Sequence, residues 1–350
     1  MAQAALQPQS KHERGQMAAG RGRGGRDAAR RAMLLAVLPL AGCDGVQSAL
    51  DPGGFEAAAV ARLFWVMLGG AVAIWLGVMA LALFAQRRRG EPWPERRAGR
   101  LVLWGGAVVP TLILAALLAY GLVLMPALRE PGGPLRIAVE GEQFWWRVRY
   151  QAPGQAPVEA ANEIRLPRGQ RVELSLSARD VIHSFWIPAL AGKMDMIPGR
   201  ATRLVLEPTE LGRFRGACAE FCGASHALMA FTVEVMEPEA FAAWLRAQAA
   251  PAPAPAEPPL AEGQRLFLAE GCGACHAVRG TAARGQLGPD LTHLGSRPSL
   301  GAGLLDNTRE HRMRFIRETD RLKPAARMPA YAGLAEPELA AIADWLGSLR

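Results

Sequence analysis

Five residues with soft metal-ligand atoms lie in two short segments of the chain. Cys218, Cys222, His226 and Met229 fall within CAEFCGASHALM, and His183 stands 35 residues before the first of them, in DVIHSFWIP. Thiolate and thioether sulfur select copper over hard cations, and imidazole completes such sites. Two thiolates can bridge two copper ions, which leaves one imidazole and one weak axial donor for each ion. A disulfide or buried cysteine pair would require all five donors to coincide by chance, so the pattern predicts a dinuclear copper site.

A second redox motif, CGACH, follows at residues 272–276. In this pattern Cys272 and Cys275 can form thioether bonds to haem vinyl groups, and His276 can bind the iron. A thioredoxin-like dithiol is an alternative, but it requires a surrounding βαβ pattern that is not visible here. Half a zinc site would require a second ligand pair, and no further cysteine is left for one. The motif therefore predicts covalently attached haem c.

The other side of the iron requires a second ligand, which is a methionine in many cytochromes. Met328, in ARMPAY, precedes a proline, which favours an extended loop that can fold over the haem. Met313 lies in HRMRF, among charges that suit a solvated helix face, and His293 is a further candidate. We predict Met328 as the axial ligand. Pro289 can offer its carbonyl to the second nitrogen of His276, the usual partner of a ligating imidazole.

Charge is unevenly distributed along the chain of 350 residues. The net charge is +8, of which residues 1–43 carry +5 and the remainder +3. The positive net charge thus comes from a basic leader and a basic membrane loop, and it does not indicate a nucleic-acid partner. Each of the five cysteines has an assignment, to lipid (Cys43), to copper or to haem, which leaves none for a structural disulfide. This usage is typical of a metalloprotein outside the cytoplasm.

The N-terminal segment is similar to a bacterial lipoprotein signal. Arg30 and Arg31 precede an apolar run, AMLLAVLPLAG, that ends directly before Cys43. A basic region, a short apolar stretch and small residues before the cleavage site make a secretory signal. We expect residues 1–42 to be leader and signal peptide, and Cys43 to become a lipidated N-terminus. An unlipidated cysteine in a short helix is the alternative.

Two uncharged runs are long enough to cross a bilayer, which takes about 20 residues. They cover residues 63–85 and 101–128, within a predicted hairpin at residues 43–130. The connection between them, residues 86–100, holds six arginines against two glutamates. Positively charged loops stay in the cytoplasm. We therefore expect both ends of the chain on the outer, periplasmic side of the bacterial inner membrane.

Two folded modules are expected beyond the hairpin. Residues 131–249 contain alternating, β-rich segments separated by Gly/Pro-rich turns, which indicate a β-sandwich with the copper donors on loops at one end. Residues 250–259 read as an extended Pro/Ala linker. Residues 260–350 read as helices around CGACH, as in a small all-α cytochrome c. The predicted fold class is a multidomain membrane protein with a two-helix hairpin, a β-sandwich and an all-α domain.

Together these motifs resemble subunit II of a haem–copper cytochrome c oxidase, in the caa-type variety with a fused C-terminal cytochrome c. The resemblance rests on DVIHSFWIPALAGKMDMIPGR and GACAEFCGASHALM and covers the hairpin to the C-terminus. It implies a cupredoxin-like Greek-key sandwich and a class I cytochrome c domain. It also implies a dinuclear CuA centre bridged by both cysteines. The other implied ligands are His183 and Met229 for one copper, His226 and the Glu220 carbonyl for the other, and the Glu220 side chain for a magnesium ion shared with subunit I.

The resemblance implies that the chain is the electron-accepting subunit of a proton-translocating oxidase. Electrons would pass from soluble cytochrome c through haem c and CuA to subunit I, which reduces O2 to water. The implied partners are subunits I and III, soluble cytochrome c and membrane lipid, without nucleic acid. The oxygen site would belong to subunit I, since neither membrane span of this chain contains a histidine.

Three other functions are compatible with parts of the sequence. A copper-delivery or thiol-reducing assembly factor places its histidine well after a C-x3-C pair, whereas here His183 precedes the pair and His226 follows it at once. A CuA subunit that serves a nitric oxide reductase differs only in its partner subunit. A lipoprotein that merely binds partners is disfavoured by both metal motifs.

Two features depart from the family's pattern, the aromatic patch and a glutamate of the second span. The aromatic patch that commonly reads QWYW is here Gln143-Phe144-Trp145-Trp146, so Phe144 replaces the tryptophan usually credited with receiving electrons. Trp145 and Trp146 are alternative receiving residues, although such large side chains are equally expected in a sandwich core. The second span has no glutamate shortly before Pro110, so we expect no role for this hairpin in proton uptake.

Overall fold

The computed structural model describes residues 44–87 and 93–350. The predicted leader, the lipidation site Cys43 and part of the arginine-rich loop lie outside the described residues. The N-terminal part of the described chain consists of long helical segments. They are α1 (Phe55–Arg87), α2 (Glu95–Leu103), a π-helical segment (Trp104–Val108) and α3 (Val109–Arg129), the last three forming one continuous helix.

The two long helices expose apolar side chains along most of their length. Phe55–Arg87 and Glu95–Arg129 contain the two predicted spans, and both are long and apolar enough to cross a membrane. Trp75 of the first helix and Val123 of the second are largely exposed. Apolar surface of this extent suits lipid, where a helix satisfies its own backbone hydrogen bonds. The chain is thus a membrane-associated protein.

Within the described residues, ten strands form a two-layer β-sandwich. They are β1 (Arg136–Glu142), β2 (Trp145–Gln151), β3 (Val158–Ala161), β4 (Glu163–Pro167), β5 (Val172–Ala178), β6 (His183–Trp186), β7 (Met194–Met196), β8 (Thr202–Leu206), β9 (Gly212–Cys218) and β10 (Ala230–Met236). One sheet has the order β3-β2-β1-β5-β8 and the other β4-β10-β9-β6-β7. The β1–β5 and β10–β4 pairs are parallel. The predicted sandwich is confirmed.

Alternating side chains of the strands fill the space between the two sheets. Leu174 and Leu176 of β5 are fully buried, as expected for every second residue of a strand. The Trp146 ring lies 5.8 Å from Phe185 and 5.1 Å from Phe231. Edge-on contacts between aromatic rings add to the stabilisation from the area they bury. Trp146 is therefore a residue of the sandwich core.

Helix α4 (Pro238–Ala249) packs on the sandwich, with Trp244 lying 5.1 Å from Tyr150 of β2. A helical domain follows it. Its elements are α5 (Pro258–Ala269), β11 (Ser299–Leu300), β12 (Leu305–Asp306), α6 (Arg309–Arg317), α7 (Thr319–Leu322) and α8 (Glu336–Ser348).

Helices α5 and α8 pack closely and form the frame of the helical domain. Phe267 of α5 lies 5.0 Å from Trp345 of α8. Gly263 permits the close approach, because a Cβ at this position would collide with the Ala341 carbonyl. The buried residues of α8 recur three to four positions apart, as in an amphipathic helix. The frame leaves space beside it for the CGACH segment.

Arg171 joins the ends of both long helices to the sandwich. Its guanidinium lies 3.3 Å from the Glu56 carboxylate at the start of α1 and donates to the Ala127 carbonyl near the end of α3 at 2.6 Å. Glu56 is buried and also accepts from the Glu207 amide at 2.8 Å. Breaking such a buried pair leaves an uncompensated charge, which makes the arrangement costly to disturb. The sandwich therefore has a defined position on the hairpin.

The sandwich also contacts the helical domain directly. Arg147 of β2 donates to the Gln286 carbonyl at 2.8 Å. Arg297 lies 3.9 Å from the buried Glu163 carboxylate of β4. The helical domain is thus docked on the sandwich in addition to being joined to it through the Pro/Ala segment.

Candidate copper and haem sites

The predicted copper donors are placed by paired strands of one sheet. His183, which was expected on a loop, is instead the first residue of β6, because Phe185 pairs with Cys218, the last residue of β9. Cys222 lies on the loop from β9 to β10. The Cys218 amide donates to the Met229 carbonyl at 3.0 Å and closes this loop. Strand pairing thus brings two distant segments to one end of the sandwich.

The five side-chain donors meet in one small volume. The Cys218 and Cys222 sulfurs are 3.8 Å apart, and Cys218 Sγ is 3.8 Å from His183 Nδ1. Cys222 Sγ is 3.6 Å from His226 Nδ1 and 3.9 Å from Met229 Sδ. Both cysteines are free thiols. The hydrogen bond from Cys222, with His183 beside it, lowers the pKa of Cys218 and favours the thiolate that binds metal. This donor set fits copper.

Glu220 contributes a backbone oxygen to the same cluster. Its carbonyl lies 3.2 Å from Cys218 Sγ. Its side chain is exposed, and the neighbouring Phe221 is 75% exposed. The carbonyl is therefore within reach of a metal held by the cysteines, while the carboxylate is accessible to a partner or a second ion.

Asp180, which the sequence reasoning did not place in the site, holds the His183 ring. Its Oδ1 lies 3.0 Å from His183 Nε2, and its Oδ2 accepts from the Gln143 amide at 2.8 Å. Partial burial opposes ionisation, but the hydrogen bonds prevail and lower the pKa of Asp180. An imidazole whose Nε2 is engaged by a carboxylate presents Nδ1 to a metal. A carboxylate three residues before a predicted ligand was the available signal.

The CGACH motif borders a mostly apolar cavity in the helical domain. Cys272, Cys275 and His276 all line it. Its apolar wall includes Phe267, Leu291, Ile316, Ile342 and Leu346. His276 Nδ1 lies 2.9 Å from the Pro289 carbonyl, so the predicted contact is confirmed. Burial lowers the pKa of His276, which keeps the imidazole neutral and able to bind a metal through its other nitrogen.

The structure separates the three candidates for the second axial ligand. Met328 lines the cavity. Met313 was expected on a solvated helix face, but it packs half-buried against the core of the helical domain. His293 Nε2 lies 3.0 Å from the Ala250 carbonyl. Of these three described residues, only Met328 borders the cavity.

Two features of the cavity fit a flat macrocycle that carries carboxylates, as haem does. Gly288 lies against the His276 ring, where a Cβ would come within 2.5 Å of Cε1. Arg297 is 5% exposed, and its Nε has no hydrogen-bond partner among the described residues. The Arg297 Nε lies 3.9 Å from the Glu163 carboxylate of β4. Four cationic side chains line this mostly apolar cavity: Arg297, Arg312, Lys323 and Arg327. The cationic lining of the cavity as a whole suits the carboxylates of a bound cofactor.

The cavity and the copper-donor cluster meet at one loop of the sandwich. Gln143, Phe144 and Trp145 line the cavity. Gln143 Nε2 also donates to the Cys222 carbonyl at 2.6 Å. One side chain therefore contacts both sites. Nothing in the sequence signals this contact, because the two residues are 79 positions apart.

Comparisons with known proteins agree with this organisation. Residues 152–236 match the family described as cytochrome C oxidase subunit II, periplasmic domain, and residues 260–350 match cytochrome c. Cytochrome c oxidase subunit 2 of Alkalihalophilus pseudofirmus is 33% identical over 326 residues, which are 89% of this chain and 94% of the relative. The same subunit of Bacillus sp. strain PS3 is 31% identical over 76% of this chain and 80% of the relative.

A solved structure with a similar sequence is the periplasmic domain of subunit II of cytochrome oxidase from Bradyrhizobium japonicum. It is 30% identical, covers 34% of this chain and 95% of its own, and has a TM-score of 0.32. The first matched family implies copper and the second implies haem c. With a relative that matches nearly its whole length, the chain belongs to the cytochrome c oxidase subunit II family and carries a C-terminal cytochrome c domain.

Proposed function

We propose that this chain receives electrons from soluble cytochrome c and delivers them to subunit I of an oxidase, which reduces O2 to water. Covalent haem c and a dinuclear copper centre supply the two redox steps when bound. One observation carries the proposal. Gln143 borders the cavity that contains CGACH and donates to the carbonyl of Cys222 in the copper-donor cluster. The two cofactor sites are thus neighbours within one chain.

In this proposal the sandwich provides a rigid copper site. Cys218 and Cys222 would hold the two copper ions through their thiolates. His183 and Met229 would supply further ligands to one ion, and His226 and the Glu220 carbonyl to the other. Asp180 orients His183 through the 3.0 Å contact to Nε2. Paired strands fix His183 and Cys218, and this rigidity would suit a metal that changes oxidation state with little movement of its ligands.

The helical domain provides the haem site. Cys272 and Cys275 would attach the haem through thioether bonds, and His276 and Met328 would supply ligands to its iron. Phe144, which is part of the sandwich core, and Trp145, the first residue of β2, line this cavity. We assign Trp145 as the electron-receiving aromatic residue, since Trp146 is fully buried in the core. The Arg147 guanidinium lies 4.7 Å from the Trp145 ring and holds it in place.

The hairpin and the exposed tip of the copper site contact the rest of the oxidase in this proposal. The exposed Glu220 carboxylate binds a magnesium ion at the border with subunit I, next to the exposed Phe221 ring. The two long helices anchor the chain in the bacterial inner membrane beside subunits I and III. Both ends of the chain lie on the periplasmic side, with Cys43 lipidated.

Rapid injection of an electron into the purified oxidase tests the proposal. The haem c band should be reduced first, and its reoxidation should match reduction of the copper band in time. An oxidase with Cys272→Ser and Cys275→Ser should retain copper and lose fast reduction by soluble cytochrome c. Copper reduction that precedes haem c reduction, or an unchanged rate in this variant, would exclude the proposed order.

A further inference from the structure

Lys323 is a buried amine between the two cofactor sites. It is 4% exposed and borders the haem cavity. Its Nζ donates to the Leu228 carbonyl at 3.1 Å and to the Gly301 carbonyl at 2.5 Å. Within the described part of the chain, no carboxylate lies within 4.0 Å of this ammonium. Burial of a cation without a carboxylate partner lowers the stability of the folded chain, so an amine at this position indicates a specific role.

The two acceptor carbonyls of Lys323 belong to different domains. Leu228 belongs to the copper loop, between His226 and Met229, and Gly301 belongs to the helical domain. Burial lowers the pKa of Lys323 to about 7. A neutral amine retains two N–H donors, so both hydrogen bonds can form in either protonation state. The contact between the domains therefore does not depend on the charge of Lys323.

Two further hydrogen bonds bracket the same loop. The hydroxyl of Ser225, which is fully buried, donates to the Pro324 carbonyl at 2.6 Å. The Ala230 amide donates to the Ala302 carbonyl at 3.0 Å. The loop that carries His226 and Met229 is thus bound to the helical domain at both ends and, through Lys323, near its middle. Two of the three contacts come from the segment that leads to Met328.

We propose that Lys323 and Ser225 are positioning residues that clamp the copper loop to the axial-ligand segment of the cytochrome. The clamp fixes the positions of the two ligand-bearing loops relative to each other. The geometry of His226 and Met229 therefore depends on the docked helical domain. One expected consequence of the clamp, fast electron transfer from haem to copper, rests on the proposed function. The clamp itself is tested independently of that function.

Hydrogen exchange in the purified oxidase measures the clamp. In Lys323→Met the exchange of the Ala230 amide, which crosses the interface, should become about tenfold faster, because loss of a buried hydrogen bond favours the open state by that factor. Amides of β5, within the sandwich, should not change. Lys193→Met is the matched control, because Lys193 is exposed and pairs only with Asp195 among the described acidic residues.

A second readout separates positioning from simple packing. The electron paramagnetic resonance spectrum of the copper centre should shift in Lys323→Met, and the rate of haem-to-copper electron transfer should fall at least several-fold. If the Lys323→Met oxidase does not assemble, the same hydrogen-exchange and resonance measurements on Ser225→Ala test the clamp. Ser225→Thr keeps the hydroxyl but adds a buried methyl group, so its values should lie closer to wild type than those of Ser225→Ala.

Unchanged Ala230 exchange and an unchanged copper spectrum in Lys323→Met or, where it does not assemble, in Ser225→Ala would overturn the clamp. That result would leave the proposed function intact, since wild-type electron transfer would be unaffected. Conversely, a wild-type oxidase without haem-to-copper transfer would refute the proposed function while the exchange comparison still decided the clamp.

Discussion

The copper and haem sites of this chain are built by different means. The copper donors contact one another, with Cys222 Sγ 3.6 Å from His226 Nδ1 and 3.9 Å from Met229 Sδ. The predicted haem ligands His276 and Met328 instead stand on the wall of an apolar cavity. Paired strands fix two of the copper donors, His183 and Cys218, and close the loop that carries the other three, whereas a short turn and an irregular loop carry the haem ligands. Bare ions require converging donors, while a macrocycle requires an enclosing apolar surface and two separated ligands.

This difference predicts how each site responds to substitution. The copper site should depend on a few side chains and on the carboxylate that orients one of them. The haem site should depend on covalent attachment and on the shape of its wall. Changes confined to one site should leave the other intact, except where residues such as Lys323 contact both.

Substitution of either cysteine pair should give the largest effect, because each double variant should lose one cofactor and retain the other. Cys218→Ser with Cys222→Ser should abolish copper binding at this centre, because thiolates are the ligands that select copper. Cys272→Ser with Cys275→Ser should abolish covalent haem and retain copper. Metal analysis and haem absorption of the purified chain measure both contents. Loss of both cofactors from either double variant would show that the sites are not separable.

Replacement of Met328 should change the iron coordination without a large loss of stability. Met328→Leu conserves volume, so the free energy of unfolding should fall by less than about 1.5 kcal/mol. Loss of the thioether should lower the haem reduction potential by on the order of 0.1 V, a fraction of the roughly 0.8 V range set by axial ligands. Redox titration measures this change. Met313→Leu is the matched control, and an equal change there would reverse the assignment.

Asp180→Asn should weaken the copper site through His183. Partners of a ligating imidazole typically contribute about 10- to 100-fold in metal affinity. Competition with a copper chelator should detect a loss of that order. Asp195→Asn is a suitable comparison, because Asp195 accepts from Ser184 on the same sheet and does not contact the predicted ligands in the described structure. Equal affinity in the two variants would remove Asp180 from the site.

Gly288→Ala should disturb the packing of the haem cavity without removing a ligand or a cofactor attachment site. A Cβ 2.5 Å from His276 Cε1 must displace the ring, and such overpacking costs about 1–3 kcal/mol. Gly333→Ala adds a Cβ where nothing lies within 4 Å and should change stability by less than about 0.5 kcal/mol. Denaturant unfolding of the purified chain distinguishes them. Similar values for both variants would mean that the wall adjusts freely.

Local chemistry made most donors predictable from the sequence. Cysteine, histidine and methionine at fixed spacing are informative before any fold is known, and the longer strands follow from alternation. His183 was misplaced on a loop because β6 is only four residues long, too short for alternation to reveal. Met313 was expected to face water because its neighbours are charged, yet the packing of α6 turns it toward the core.

Contacts between distant segments could not be predicted. Gln143 meets Cys222 across 79 residues, and Lys323 meets Leu228 across 95. A single sequence carries periodicity and motif spacing, but it does not show which surfaces of two domains face each other. The docking of the helical domain on the sandwich, and with it the adjacency of the two cofactor sites, is visible only in three dimensions.

Electron paramagnetic resonance of the oxidised, purified chain tests the central claim most directly. A dinuclear centre bridged by Cys218 and Cys222 should give the hyperfine pattern of one unpaired electron shared by two copper nuclei, together with a purple absorption. The pattern of a single copper nucleus, with blue or absent colour, would contradict the account.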